Sequence, residues 1–473
     1  MKRILVGLCA IMILIGMAAC QREPQSVTSS GTEISSETNL PETSVATETV
    51  SALSQTGSTR ESTASSVSKA TSRTKAPVTT TSKAPTSTTT KATSQEPSLY
   101  PATPRYTPEE SAQLITNKNA KAMGKLPSDR VLIDEFDPDW AYCHHASLAY
   151  FKGKLYASWS QGRIHEDDLG QRVMLSVSSN FTDWSEPVAI VDSMMGLFSE
   201  TVLSSQRFYC NGDTLYLYFT KLEYTYESLQ ENHTLRPLDK DGYGVADALY
   251  NTAYAIYTTD GVNWSEPQEL AVGGGVQAPI KTAGGREIFF TGQGVLYNDD
   301  KNGLAWLPFS IDRSYVNDAI KRGANILTEG CGYETDDYVL HLLMRSNAGY
   351  LWQSESYDNG KTWSKVYKTN FAVDASMSNS GRLPDGRYYI ICNPVFNWKR
   401  TPLSIFVSED GYNFDKQYII RDETDYTMQQ DGLYKGGAFA YPEAIIQGDY
   451  LYVLYSKEKE VMEITRIAIQ DIK

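Results

Sequence analysis

Six times between Ser147 and Ser456 the chain repeats one phrase: a few residues, a tight turn, then an alternating aromatic and aliphatic strand. The copies are SLAYFKGKLYASWS, RFYCNGDTLYLYFT, PIKTAGGREIFFTG, YETDDYVLHLLMR, GRLPDGRYYIICN and AIIQGDYLYVLYS. Their turns centre on Gly153, Gly212, Gly285, Asp337, Gly386 and Gly448, about fifty to seventy residues apart. A lone hairpin is marginal in water, so repeats of this size must stack on one another to bury their apolar faces. Blade-sized units of short strands predict an all-β chain, a six-bladed β-propeller, with a sandwich as the alternative. A strand at Arg130–Phe136 pairing with one at Met462–Ile469 would close the ring.

The stretch Val339–Trp363 shows the unit most fully. Val339–Met344 is a short apolar run, Arg345 stands at its end, and Tyr350–Ser356 reads as the return strand. Ser356-Tyr-Asp358-Asn-Gly360-Lys-Thr362-Trp363 then forms a turn. Asp358 can bond the turn's own backbone, Gly360 can adopt positive φ, and Trp363 can pin the turn to the sheet. Shorter relatives occur at Ser178–Trp184, Thr258–Trp264 and Ser408–Phe414.

The chain has 473 residues, a formal net charge of −14 and only 6 cysteines. An acidic balance argues against a nucleic-acid-binding surface, and an anionic ligand would have to be held by local arginines. Cys143, Cys210, Cys331 and Cys392 are far apart and lack metal-ligand spacing, which suits buried thiols or one or two bridges. No Gly-x-Ser-x-Gly, zinc-ligand set or phosphate loop occurs, so neither a cofactor nor a metal is expected.

The ends of the chain set its organisation. Lys2 and Arg3 precede an apolar run, Ile4–Ala19, too short to span a membrane and suited to a signal segment. Gly16-Met17-Ala18-Ala19-Cys20 resembles a bacterial lipobox, which implies lipidation at Cys20 and removal of residues 1–19. Residues 21–104 are dominated by Ser and Thr and lack the apolar side chains to offset the entropy of folding. As a flexible tether they would span about 50 Å r.m.s.. Thr107-Pro108-Glu109-Glu110 reads as a capped helix start, and a helical lead-in over residues 105–128 is expected to end near Gly124. Residues 129–473 form the propeller, interrupted in its second blade by the polar segment Glu223–Leu249, a candidate pocket wall. A monomer is expected.

On these turns, and on the residues that surround them, the sequence resembles the sialidase superfamily over nearly all of residues 130–473. The turn Ser356–Trp363 matches the family's Asp box, a feature of architecture that lies away from the catalytic face. The resemblance implies arginines that bind a substrate carboxylate, a Tyr–Glu nucleophile pair and an acidic acid/base. Arg345, before the Asp box, matches the second arginine, and Arg400 the third. Glu329 stands where the assisting glutamate falls, with Glu334 in competition. Tyr441, in Gly436-Gly437-Ala-Phe-Ala-Tyr441-Pro442-Glu443, matches the nucleophile. The acid/base would fall at Asp167 or Asp168.

The N-terminal end departs from that pattern. Where the family carries its first arginine this chain has His144-His145-Ala146, and Arg163 or His144 would have to serve instead. His145 and His165 have the spacing seen in propeller-fold polysaccharide lyases that act on uronates, with Tyr209 and Arg207 as loose partners. The expected function is therefore an extracellular, lipid-anchored hydrolase acting on terminal acidic sugars of glycans. A uronate lyase and a non-catalytic glycan-binding propeller are the alternatives. The expected partners are a glycan and, through Cys20, a membrane. Cys20→Ala should release the chain from the membrane fraction on cell fractionation; unchanged retention would refute the anchor.

Overall fold

The computed structural model describes residue 100 and residues 104–230, 248–292, 294–423 and 425–473. The leader, Cys20 and nearly all of the Ser/Thr-rich segment lie outside the described residues, as does the middle of the Glu223–Leu249 insertion.

Six antiparallel sheets, each built from consecutive hairpins, follow one another along the chain as the blades of a propeller. Blade 1 comprises Tyr142–Phe151, Lys154–Gly162, Arg172–Ser178 and Val188–Val191. Blade 2 comprises Val202–Cys210, Leu215–Tyr224, Ala248–Thr258 and Gln268–Glu269. Blade 3 runs Ile280–Lys281, Glu287–Phe290, Gly294–Asn298 and Leu307–Ser310. Blade 4 runs Thr328–Glu334, Leu340–Arg345, Tyr350–Ser356 and Tyr367–Ala372. Blade 5 holds Asn379–Arg382, Tyr388–Cys392, Leu403–Ser408 and Lys416–Arg421. Blade 6 holds Ala440–Gln447, Tyr450–Lys457, Val461–Ala468 and the N-terminal strand Asp129–Asp134. That last pairing, with Val131 opposite Ile464, closes the ring as the sequence predicts. All six repeated phrases are the first hairpins of their blades.

Hydrophobic clusters fill the junctions between neighbouring blades. Trp159 and Leu148 of blade 1 pack with Leu454 and Ile464 of blade 6. Phe208 and Leu217 of blade 2 pack with Leu175 of blade 1. Phe289 of blade 3 meets Tyr218 of blade 2, and Phe290 of blade 3 meets Leu342 and Trp352 of blade 4. Leu343 of blade 4 meets Ile390 of blade 5, whose Ile405 in turn meets Val453 of blade 6. Each blade is thus apolar on both faces, which explains strands that alternate aromatic with aliphatic rather than apolar with polar residues.

The lead-in differs from expectation. The Thr107 cap and its reciprocal bond with Glu110 are present, but the helix is only Pro108–Leu114. Ile115 is fully buried in the cluster between blades 4 and 5. From Thr116 onward the backbone pairs with the outer turn of blade 5 (Thr116 N to Tyr412 O, 3.1 Å) instead of with itself. Lys121–Lys125 then adds to that blade as a parallel edge strand beside Lys416–Arg421. Cys143, Cys331 and Cys392 are buried free thiols, and Cys210 is free and exposed.

The Asp-box turns join the third and fourth strands of blades 1, 2, 4 and 5. In the full box on blade 4, Asp358 accepts from the N–H groups of Lys361 (3.0 Å) and Thr362 (2.8 Å) and from the Thr362 hydroxyl (2.8 Å). Trp363 donates to Gly360 O at 3.1 Å, closing the turn onto itself. Burial disfavours the ionised Asp358, but the bonds from Thr362, Ser356 and Lys361 outweigh it and hold the carboxyl below its ordinary range. Asp358→Ala should cost about 1–2 kcal/mol in denaturant unfolding near neutral pH. A depressed folded pKa stabilises above the ordinary Asp range, so the deficit should shrink as pH falls through the folded value. A pH-independent deficit would contradict this assignment.

Candidate functional site

The first strand of each blade lies nearest the centre of the ring, and four of these strands are bulged. Their registers break at His144/Ser147, Ser205/Phe208, Thr328/Gly330 and Ala440/Glu443. The residues in those gaps include His145, Arg207, Glu329 and Tyr441. A bulge leaves a residue unpaired in the ladder and re-aims its side chain. Three of them are also left-handed, with φ of 59° at His145, 47° at Glu329 and 53° at Tyr441. Arg400 (φ 52°) and Asp167 (φ 58°), both on loops, share that conformation. Non-glycine residues held there cost free energy and concentrate at functional sites.

Tyr441 is the centre of the cluster. Its hydroxyl donates to Glu329 Oε1 in a short contact and accepts from Arg345 Nη1 at 2.9 Å. Arg345 Nη1 also bonds Glu329 Oε2 at 2.5 Å, and the arginine is 4% exposed. The Arg400 guanidinium stands 5.3 Å from the centre of the Tyr441 ring. Its backbone is clamped: Arg400 N donates to Asp374 Oδ2 at 3.1 Å, and Arg400 O accepts from Asn393 Nδ2 at 2.8 Å. Glu329, and not Glu334, is the carboxylate that the fold brings to Tyr441; Glu334 bonds Ala283 and Tyr100.

Blade 1 supplies the other wall. The His144 and Tyr441 rings lie 4.1 Å apart, and those of His145 and Tyr441 6.0 Å apart. His144 is fully buried, and burial together with Lys459, His145, Arg400 and Arg207 holds it neutral, well below the ordinary histidine range. His145 Nε2 lies 3.5 Å from Glu166 Oε1, and Lys459 Nζ donates to Glu166 Oε2 at 2.7 Å. Burial opposes ionisation of Glu166, but Lys459 and His145 outweigh it and keep the carboxylate charged. Its neighbour Asp167 is pushed the other way, above the ordinary Asp range, by burial and by the Glu166 charge. Two adjacent carboxyls with pKa values driven apart suit different roles, one a fixed charge and the other a proton donor.

Four residues singled out from the sequence are not brought to this cluster. Arg163 forms a two-pronged pair with Glu200 (2.6 and 3.0 Å) and bonds Leu169 O, so its guanidinium is already engaged. His165 Nδ1 accepts from Leu433 N at 3.0 Å. Asp168 accepts from Leu169 N at 2.9 Å. Tyr209 bonds Glu287 between blades 2 and 3. Arg207 does reach the centre, where it is buried and paired with Glu443 at 3.1 Å. Sequence reasoning missed Glu166, Lys459 and Glu443, which carry no motif; Glu443 is signalled only by lying two residues after Tyr441 in the bulge.

The sequence matches the family described as BNR repeat-like domain over residues 153–453. No curated protein matches it significantly. Among solved structures it is similar to a protein of unknown function from Dyadobacter fermentans, 16% identical with a TM-score of 0.53, covering 72% of this chain and 98% of that one. It is similar to the intramolecular trans-sialidase of Ruminococcus gnavus in complex with oseltamivir carboxylate, 15% identical with a TM-score of 0.50, covering 75% and 99%. It is also similar to Trypanosoma rangeli sialidase in complex with sialic acid, 12% identical with a TM-score of 0.50, covering 73% of this chain but 59% of that one. At these identities the likeness is one of fold.

Below Tyr441, Glu443 is fully buried and accepts from Ala278 N (3.2 Å) and Asn379 Nδ2 (3.1 Å) besides pairing with Arg207. Burial pushes its carboxyl up to about 7 against the pull of Arg207. An unfolded Glu ionises near about 4.3, so between there and about pH 7 the folded chain keeps a proton that the unfolded chain has released. Stability should therefore fall as pH rises across that window, by at most about 1.4 kcal/mol per unit. Glu443→Gln should flatten the slope in denaturant titrations. A flat slope in the unaltered chain would show that Arg207 keeps Glu443 ionised throughout.

Proposed function

The chain belongs to the BNR repeat-like domain family, in the sialidase superfamily, and on that premise we propose that it is a glycoside hydrolase acting on terminal carboxylate-bearing sugars of glycans. The observation that carries the reading is the contact of Tyr441, Glu329 and Arg345 at the centre of the ring. A phenol is a weak nucleophile until a base takes its proton, and Glu329 is bonded to that proton. Arg345 donates to the same oxygen and stabilises the charge that develops there.

In the proposed reaction the Tyr441 oxygen attacks the anomeric carbon while its proton passes to Glu329. Asp167, whose hold on a proton is raised by burial and by the Glu166 charge, gives a proton to the departing oxygen. Water then cleaves the glycosyl–tyrosine bond with Asp167 as base while Glu329 returns its proton to the departing Tyr441 oxygen, so that configuration is retained. Arg345 and Arg400 hold the sugar carboxylate. The relatives named for sialidase activity support this reading by analogy of fold, and the leader and Ser/Thr-rich segment support display at a cell surface. The lyase reading needs both His145 and His165 at the site, and His165 is turned to Leu433.

Tyr441→Phe keeps the ring and should abolish turnover with the thermal unfolding profile unchanged. Arg400→Ala should weaken substrate binding ten- to a hundredfold, the worth of one charge-assisted bond of about 1.5–3 kcal/mol. Incubation with a panel of acidic glycans provides the check. Release of a saturated acidic sugar supports the hydrolase. An unsaturated uronate absorbing in the near ultraviolet would replace it with a lyase, and binding without product would leave a glycan-binding propeller.

A further inference from the structure

Blade 1 presents a donor set that the proposed reaction leaves unused. His144, His145 and Glu166 each offer a ligand atom, and the three atoms lie within 4.8 Å of one another. In each residue the remote polar atom is tied down. His144 Nδ1 is 2.8 Å from Ser456 Oγ, His145 Nδ1 is 3.0 Å from Ser160 Oγ, and Glu166 Oε2 takes the Lys459 ammonium at 2.7 Å. What remains on each is the near atom: Nε2 of both imidazoles and Oε1 of the carboxylate. Second-shell bonds of this kind on every remote atom orient metal ligands.

Two further observations point to a ligand. His144 Nε2 is fully buried and has no hydrogen-bond partner among the described residues, a costly state for a polar atom unless something else binds it. His145 Nε2 and Glu166 Oε1 stand 3.5 Å apart, the far limit of a hydrogen bond. Ligand atoms about 2.0–2.1 Å from a tetrahedral ion are about 3.4 Å from each other, so that gap is the separation which a shared ion imposes.

We propose that His144 Nε2, His145 Nε2 and Glu166 Oε1 bind one divalent ion of the zinc class. Two imidazoles and a single carboxylate favour such an ion over calcium or magnesium, which want more oxygen ligands. Three protein ligands leave a tetrahedral ion one position for an outside ligand, and the Tyr441 ring lies 4.1 Å from that of His144. An acidic sugar placed on Tyr441 could therefore give its carboxylate to the ion, in place of the arginine that this chain lacks there. That last step rests on the hydrolase reading; the ion site does not.

The experiment uses the full chain stripped with a chelator and carrying no added histidines. Titration calorimetry with Zn²⁺ alone should show stoichiometric binding, and Co²⁺ should give the visible bands of a four-coordinate site. Glu166→Gln and His145→Ala should each weaken Zn²⁺ by more than tenfold. Ser456→Ala, which removes the bond that orients His144 together with a long one to Ala440 O (3.4 Å), should weaken it about ten- to a hundredfold. Circular dichroism checks that each variant is folded, and the cobalt spectrum of the unaltered chain needs no variant. Absence of Zn²⁺ binding, or binding that both Glu166→Gln and His145→Ala leave unchanged, overturns the proposal. Hydrolysis by a chain that binds no ion would sink this proposal alone; ion binding without hydrolysis would sink only the proposed activity.

Discussion

Backbone strain at the inner rim of the ring is the constraint on which the site depends. His145, Glu329 and Tyr441 lie in bulges of first strands and take positive φ without being glycine. In a regular ladder alternate residues point to opposite faces of the blade, and both faces are packed against neighbouring blades. Within a first strand, a break in the ladder re-aims a side chain out of this alternation, whereas Arg345 and Arg400 reach the cluster from a strand end and a loop. The bulges do that for residues from blades 1, 4 and 6, and the free energy they cost is offset by the blades that hold them.

That support comes from the junctions between blades. The buried clusters join blade to blade around the ring, and Trp159, Phe289, Leu342 and Ile405 each sit at such a seam. Burial of a large apolar side chain is worth about 1.5–3 kcal/mol, so each seam far outweighs a strained residue, typically about 1–3 kcal/mol. Closure by Asp129–Asp134 against Val461–Ala468 matters for the same reason. It ties the N-terminal strand that leads into blade 1 to the C-terminal strand of blade 6, the blade whose Tyr441 meets His144.

Charges at the centre are arranged in opposition. Arg345 is shared between Glu329 and Tyr441, Arg207 is set against Glu443, and Lys459 against Glu166. Buried ions of this kind contribute little net stability, because desolvation consumes most of their attraction. Their effect is on protonation: Glu166 stays ionised, Asp167 and Glu443 are pushed toward the neutral form, and His144 is held uncharged. A set of neighbouring carboxyls thereby acquires distinct proton affinities within one small volume.

The sequence by itself determined the all-β class, the number of blades, the first hairpin of each, the Asp-box turns and the closing strand. These are local matters: a strand's alternation and a turn's Gly or Asp act on their immediate neighbours, whatever the rest of the chain does. It also placed Arg345, Arg400, Glu329 and Tyr441 in order along the chain. Only the tertiary structure decided that Glu329 rather than Glu334 meets Tyr441, because a one-residue bulge selects which side chain turns inward. It likewise turned Arg163 to Glu200 and His165 to Leu433, and brought Lys459 to Glu166 from the far end of the sequence. The lead-in helix stopped at Leu114 because blades 4 and 5 offered its backbone and Ile115 better partners than a further helical turn. Such choices are set by packing between segments hundreds of residues apart, which no local pattern encodes.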